Sequence, residues 1–235
     1  MKKLAIGLYV LATVALLGWA YYQAIYVAPN DAAQGEMFRI IYYHVPSATV
    51  AFLFFGVSLI GSIGYLATRH NHADRAQMFD AWALAGAEVG VVFCSVVLVT
   101  GPMWGRRAWG IWWTWGDARL VTTLLLWLIY VSYLVLRRFS NSAQTQMLAA
   151  ALAVFGALDV PLVYFSIWFF RTQHPQPVIG GGGSIDPRML HVLLINWLAF
   201  SCFALLVSWW RYRLEILQRE VDELESLESL SGVAQ

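Results

Sequence analysis

The sequence predicts an all-α integral membrane protein with six transmembrane helices. Of its 235 residues, 60% are hydrophobic and only 12% are charged, which is too apolar for a soluble globular domain. Six apolar runs are each long enough to cross a hydrocarbon core, which takes about 20 helical residues. They cover residues about 4–24, 45–67, 79–101, 119–137, 146–170 and 189–210.

Positive charges beside these runs predict the orientation, because loops rich in lysine and arginine resist translocation. One side holds Lys2, Lys3, Arg69, Arg75, Arg137, Arg138, Arg211, Arg213 and Arg219. The other side holds Arg39, Arg106, Arg107, Arg119, Arg171 and Arg188. The bias places both termini in the cytoplasm and predicts outer loops at about 25–44, 102–118 and 171–188.

The ends of the first two runs have distinct local signals. The first run is expected to remain as an uncleaved helix, because residues 18–22 (Gly-Trp-Ala-Tyr-Tyr) are a poor cleavage site for a signal peptidase. In the second run, Pro46 suits the first turn of a helix. Cys94 and Cys202 lie inside apolar runs, outside any CxxC motif, and are interpreted as buried small hydrophobes.

The third and fifth runs each contain one carboxylate, Glu88 and Asp159. An ionisable group inside a membrane is costly and normally faces a partner or a cavity. Either residue could relay protons or substrate, or could be a structural carboxyl bonded to a neighbouring helix, which is the favoured interpretation.

The chain divides into a membrane domain, residues 1–212, and a tail, residues 213–235. In the tail, leucine or valine recurs every three to four residues among acidic side chains, which predicts an amphipathic helix. Such a helix could be simply solvated or could dock a cytoplasmic subunit, and both interpretations stay open.

The tryptophan segment, residues 104–119, holds five of the twelve tryptophans of the chain. They are Trp104, Trp109, Trp112, Trp113 and Trp115. Such a group forms either an interface belt or a platform for a large planar ligand. Five indoles separated by Gly105 and Gly110, which allow close backbone approach, exceed what membrane anchoring needs and favour the platform.

Two histidines stand on the same predicted face as the tryptophan segment. His44 and His174 lie at the outer ends of the second and fifth runs, and neutral imidazole is a common axial ligand of heme iron. Together they would form a bis-histidine site for a non-covalently bound heme b. His191 is the competing candidate ligand and is expected instead to be a packed or hydrogen-bonded interface histidine.

Charged residues of the tryptophan segment complete the predicted site. Arginine pairs bidentately with carboxylates, so Arg106, Arg107 and Arg119 are candidates to bind the heme propionates. Asp117 is included in the site, and we expect it to orient an arginine or backbone amides rather than to touch the ligand.

The tryptophan segment and the residues around both histidines resemble a known family. Residues 104–120 are similar to the "WWD" signature of heme-handling proteins in cytochrome c maturation, although Gly116 here separates Trp115 from Asp117. With residues 43–46 (Tyr-His-Val-Pro) and 171–175 (Arg-Thr-Gln-His-Pro), the best match is the heme exporter C (CcmC) family. The resemblance covers the chain up to about residue 212.

This resemblance implies a role in heme transfer rather than in catalysis. In that family, heme sits at the outer face of the bacterial inner membrane and passes to the periplasmic heme chaperone CcmE. The ABC-type complex of CcmA and CcmB, with the small protein CcmD, helps to release the loaded chaperone. Any catalytic role would be limited to assisting heme attachment to the chaperone.

Two other function classes remain as alternatives. A membrane b-type cytochrome in electron transfer usually stacks hemes across the bilayer between intrahelical histidine pairs, whereas the usable histidines here share one face. A heme transporter proper would need a polar path at the membrane midplane, for which Glu88 and Asp159 are the candidates.

Overall fold

Seven α-helices make up most of the chain in the computed structural model, which describes residues 2–140, 142–170, 172–177 and 184–233. They are α1 (Lys2–Tyr22), α2 (Ile41–Thr68), α3 (Ala73–Ala108), α4 (Ala118–Phe139), α5 (Ala143–Ala157), α6 (Asp159–Phe169) and α7 (Pro187–Val233). Because α5 and α6 together form one span, six stretches are long and apolar enough to cross a membrane. With no β-strand in these ranges, the predicted six-helix all-α class is confirmed.

Two helices extend beyond the apolar runs that predict them. α2 begins at Ile41 and not at Pro46, because Tyr42 is fully buried against α7 and the packing favours an earlier start. α3 continues to Ala108, so residues 104–108 are helical and the loop is reduced to 109–117. The expectation of an outer loop over 102–118 is therefore wrong in its first part.

The fifth span is interrupted at Leu158, between α5 and α6. Pro161 has no N–H to donate to the carbonyl of Ala157, and its ring crowds that carbonyl. At the same place, the amide of Leu158 bonds to the carbonyl of Phe155, three residues earlier, at 3.1 Å. The sequence therefore ends one helix and starts the next inside a single membrane crossing.

α7 is one uninterrupted helix that runs through the predicted boundary between residues 212 and 213. No glycine or proline occurs between Arg188 and Ser231 to break it. The apolar side chains of the tail from Leu214 to Leu227 are exposed, in agreement with an amphipathic helix beyond the bundle.

Glycines bring α2 and α3 into backbone contact. A Cβ atom on Gly86 would lie 2.8 Å from the amide nitrogen of Ser58 and 2.9 Å from the carbonyl oxygen of Phe54. A Cβ atom on Gly61 would lie 2.7 Å from the amide nitrogen of Ala83. Small residues are how membrane helices approach this closely, and the result is one tightly packed helix pair at the centre of the bundle.

The two intramembrane carboxylates have different surroundings. Glu88 pairs with Arg211 of α7, whose Nη2 donates to Oε1 at 2.7 Å, which is the kind of interhelical bond that the structural interpretation expects. Asp159 is 5% exposed, and neither of its carboxyl oxygens has a hydrogen-bond partner among the described residues.

Candidate functional site

The first turn of α2 fixes the position of His44. Its Nδ1 lies 2.8 Å from Oγ1 of Thr100 on α3, and that hydroxyl donates its only proton to the carbonyl of Val96 at 2.7 Å. Thr100 therefore accepts from His44, which places the proton of a neutral imidazole on Nδ1. Among the described residues, Nε2 has no hydrogen-bond partner, so its lone pair is available to a ligand.

His174 stands on the loop between α6 and α7. Its Nδ1 lies 2.8 Å from the carbonyl oxygen of Pro175, and because a carbonyl can only accept, Nδ1 is again the protonated nitrogen. Burial lowers the pKa of His174 to about 4, and the positive charge of Arg119 acts in the same direction. The ring is thus neutral near pH 7, with Nε2 free.

The two imidazoles lie close together at this end of the bundle. Their ring centroids are 6.4 Å apart, with an angle of 32° between the ring planes. An imidazole nitrogen lies about 2.0–2.1 Å from a bound metal ion, and adding roughly 1 Å from nitrogen to ring centroid on each side gives about 6 Å for two opposed imidazoles. A carbonyl or hydroxyl on the second ring nitrogen is also typical of metal-binding histidines.

A mostly apolar cavity of about 450 Å³ surrounds the two rings. All three loops at this end of the bundle contribute to it. Apolar side chains from the helices form its inner part, among them Ile41, Ala48, Phe52, Val97, Leu98 and Val163. The described residues contain no group of three or more metal-ligating side chains, so a ligand with its own in-plane metal donors fits the two histidines better than a bare metal ion.

The structure divides the tryptophan segment into two faces. Trp104, Trp109 and Trp113 line the cavity, and the indole N–H of Trp104 donates to Oε1 of Gln34 in the first loop at 2.6 Å. Trp112 and Trp115 do not line it and are 60% and 74% exposed. Three of the five indoles therefore belong to the cavity wall, and two face outward.

The turn at Gly110 lets the chain fold back after α3. Gly110 has a φ of +79°, which a glycine adopts without steric cost, and its carbonyl accepts a hydrogen bond from Arg106. Trp109 packs edge-on against Trp104, with centroids 4.9 Å apart. This turn holds Trp109 against the cavity.

The three predicted propionate ligands also occupy different places. Arg119 lines the cavity, and its Nη1 is buried with no hydrogen-bond partner in the described ranges. Arg107 lines an adjoining, more polar chamber of about 680 Å³. Arg106 lines neither cavity and donates a hydrogen bond to the carbonyl of Gly110. A buried guanidinium nitrogen without a partner is suited to an anionic ligand.

Trp113 provides a second buried donor without a partner. Its Nε1 is buried and has no acceptor among the residues that the structure describes, although Trp113 lines the cavity. Buried donors are nearly always hydrogen-bonded. Together with Nη1 of Arg119, this donor is available to a ligand with acceptor oxygens.

Asp117 lies outside the cavity lining and connects two elements. One oxygen, Oδ1, caps α4 by accepting from the amides of Arg119 at 3.0 Å and Leu120 at 3.2 Å. The other, Oδ2, accepts from the hydroxyl of Thr172 at 2.6 Å and the amide of Gln173 at 2.9 Å. Burial raises the pKa of Asp117, but these hydrogen bonds outweigh burial and hold the pKa below its usual value.

His191 does not line the cavity. It is exposed on α7, so the expectation of a packed interface histidine is wrong. The helical period accounts for this position, because Met189, Val192 and Leu193 are the buried residues of the same turn.

Sequence reasoning missed Gln34, Thr100 and Thr172. Each is a single polar residue that acts through one long-range hydrogen bond, and no local pattern distinguishes such residues from ordinary ones. For Thr172 alone, its position two residues before His174 is a usable signal.

Comparisons with known proteins identify relatives of this chain over most of its length. The model of the CcmC family, heme exporter protein C, matches residues 1–227. A heme exporter protein C of Bradyrhizobium diazoefficiens is 37% identical over 221 residues, covering 93% of this chain and 81% of that protein. The protein of the same name in Escherichia coli K12 is 32% identical over 218 residues, covering 92% and 84%. A putative cytochrome c biosynthesis ccmC-like mitochondrial protein of Marchantia polymorpha is 34% identical over 186 residues, covering 79% and 76%.

Proposed function

Because the chain belongs to the heme exporter protein C family, we propose that it holds one heme b, non-covalently, between His44 and His174 and delivers it to the heme chaperone CcmE. The observation that carries the proposal is the separation of the two imidazoles, whose centroids are 6.4 Å apart. The site would lie on the periplasmic face of the bacterial inner membrane, since the excess of positive charge at the other end of the bundle predicts that end to be cytoplasmic.

The residues that line the cavity fit the chemistry of heme. Heme supplies a planar apolar macrocycle, an iron that takes two axial ligands and two anionic propionates. His44 and His174 provide the two free nitrogen lone pairs, and Arg119 provides a buried guanidinium for a carboxylate. Trp109 and Trp113 contribute aromatic surface to the wall of the apolar cavity.

The chain would act by ligand exchange rather than by catalysis. His44 and His174 would coordinate the iron as neutral imidazoles, with no covalent attachment of the porphyrin to the chain, so another ligand could replace either one without chemical change to the protein. Hand-over would then require the chaperone to approach the cavity. Trp112 and Trp115 are the exposed indoles of the tryptophan segment and are the candidates to contact it. CcmA, CcmB and CcmD would assist by releasing the loaded chaperone.

Absorption spectra of the purified protein test the axial ligands. We expect a b-type spectrum in the wild type, and a sharp loss of heme retention in His44→Ala and in His174→Ala. His191→Ala is the matched control, because it removes an exposed histidine of α7 that does not line the cavity. An unchanged spectrum in both ligand variants would show that this site is wrong.

A transfer assay tests the direction of delivery. Heme-loaded protein is mixed with purified heme-free CcmE, and the heme content of each is measured after separation. We expect heme to move to the chaperone. A stable b-type spectrum that responds to quinol but loses no heme to the chaperone would favour the electron carrier instead.

A further inference from the structure

We propose that Thr172 is a positioning residue, whose hydroxyl holds His174 in place for axial ligation by tying its loop to Asp117. This inference rests on the proposed function, because it concerns the alignment of one of the two heme ligands. Thr172 does not line the cavity, so it acts through His174 and not on heme itself.

The hydroxyl of Thr172 makes a hydrogen bond on each side. It donates to Oδ2 of Asp117 at 2.6 Å and accepts from the backbone N–H of His174 at 3.1 Å. One hydroxyl can do both, since it has one proton and two lone pairs. The bond to a carboxylate is the stronger type, because its acceptor is charged.

These contacts are the hydrogen-bonded attachment of the loop to the bundle. Within the described residues 172–177, every hydrogen bond that leaves the loop ends on Asp117, from Thr172 and from the amide of Gln173. The remaining bonds join neighbours within the loop, such as His174 to Pro175. The position of the imidazole therefore depends on this carboxylate.

The two carboxylate oxygens of Asp117 accept hydrogen bonds from two different elements. Oδ1 is occupied by the first-turn amides of α4, and Oδ2 is occupied by the loop. Asp117 is 3% exposed, so water does not compete for these bonds. α4, whose first turn carries Arg119, and the loop that carries His174 are thus set relative to each other by one buried side chain.

Two substitutions at Thr172 separate the hydroxyl from the shape of the side chain. Thr172→Ser keeps both hydrogen bonds, whereas Thr172→Val keeps the branched shape and loses both. We expect heme affinity to fall about 10- to 100-fold in the valine variant, which is typical when an outer partner of a metal ligand is removed. The serine variant should stay within about twofold of wild type.

Spectroscopy distinguishes positioning from a general effect on the fold. The absorption and electron paramagnetic resonance spectra of Thr172→Val should change in the same direction as those of His174→Ala, with His44 still bound, and added imidazole should restore the wild-type spectrum. Membrane accumulation and melting temperature are measured alongside, and Thr172→Ala serves as a second loss-of-hydroxyl variant should valine impair folding.

The outcomes also separate this inference from the proposed function. If His174→Ala alters the spectrum as expected while Thr172→Val and Thr172→Ala match the wild type, the positioning role is refuted and the heme site stands. If wild type lacks a bis-histidine spectrum, or His174→Ala leaves it unchanged, the proposed function itself fails.

Discussion

Asp80 of α3 and Arg137 of α4 form a buried ion pair, with Oδ2 and Nη2 2.8 Å apart and each side chain 3% exposed. Arg219 of α7 donates to the same oxygen at 2.6 Å. Nε and Nη1 of Arg137 have no other hydrogen-bond partner among the described residues. One carboxylate therefore joins three helices at the end of the bundle opposite the cavity.

Replacing this carboxylate should destabilise the bundle strongly. Asp80→Asn leaves the buried charge of Arg137 uncompensated, and we expect a loss of about 3–5 kcal/mol in the free energy of unfolding. Denaturant unfolding in detergent micelles measures it. Asp186→Asn is the matched control, because it breaks the exposed pair with Arg188, and exposed ion pairs contribute little to stability. Equal losses in both variants would contradict the structural role of Asp80.

The contact between α2 and α3 should not tolerate an added methyl group. Gly86→Ala would place Cβ against the backbone of Ser58 and Phe54, and backbone atoms cannot rotate away. We expect a cost of about 1–3 kcal/mol and reduced membrane accumulation, measured by quantitative immunoblotting and thermal unfolding. Gly56→Ala in α2 is the control, since a Cβ atom at Gly56 would have no neighbouring atom within 4 Å among the described residues. It should be neutral or slightly stabilising.

Thr100 should control the heme affinity of His44. Thr100→Val removes the acceptor that fixes the Nδ1 proton, and we expect heme to bind about 10- to 100-fold more weakly, as measured by heme titration followed at the Soret band. Thr100→Ser retains the hydroxyl and should bind like wild type. Similar affinities for the valine and serine variants would mean that the bond at 2.8 Å does not orient the ring.

The two faces of the tryptophan segment should differ in function. Trp113→Ala removes a cavity wall, and we expect heme to bind about tenfold more weakly, equivalent to about 1.4 kcal/mol. Trp112→Ala removes an indole that is 60% exposed and outside the cavity, so heme affinity should be unchanged. Any loss in that variant should be in the rate of transfer to CcmE, followed by stopped-flow mixing. Equal heme affinities for both variants would refute the division into two faces.

The membrane spans could be predicted from sequence because hydrophobicity and length alone decide them. Helix ends could not, because packing decides them: burial of Tyr42 moves the start of α2 ahead of Pro46. Pro161 is compatible with a break inside the fifth span, but the apolar composition is the same on both sides of it, so the sequence predicts one continuous run over 146–170. The sequence could predict that His44 and His174 share one face, because both lie beside helix ends, and their ring centroids are 6.4 Å apart.

The inner details of the site depend on geometry that one-dimensional patterns do not contain. Which tryptophans face inward is set by the turn at Gly110, and not by their spacing along the segment. Asp117 was expected to orient an arginine or backbone amides, and it does accept from backbone amides. Its link to Thr172 joins positions 55 residues apart, and nothing near either residue indicates that they meet.

The different supports of His44 and His174 imply an order of detachment. His44 is part of the first turn of α2, which packs against α7, and its imidazole also bonds to Thr100 of α3. His174 is attached through hydrogen bonds to a single carboxylate. We therefore expect His174 to dissociate first and to open a coordination position towards the loops. An incoming ligand would then approach from the loop side, while His44 would still hold the heme from α2.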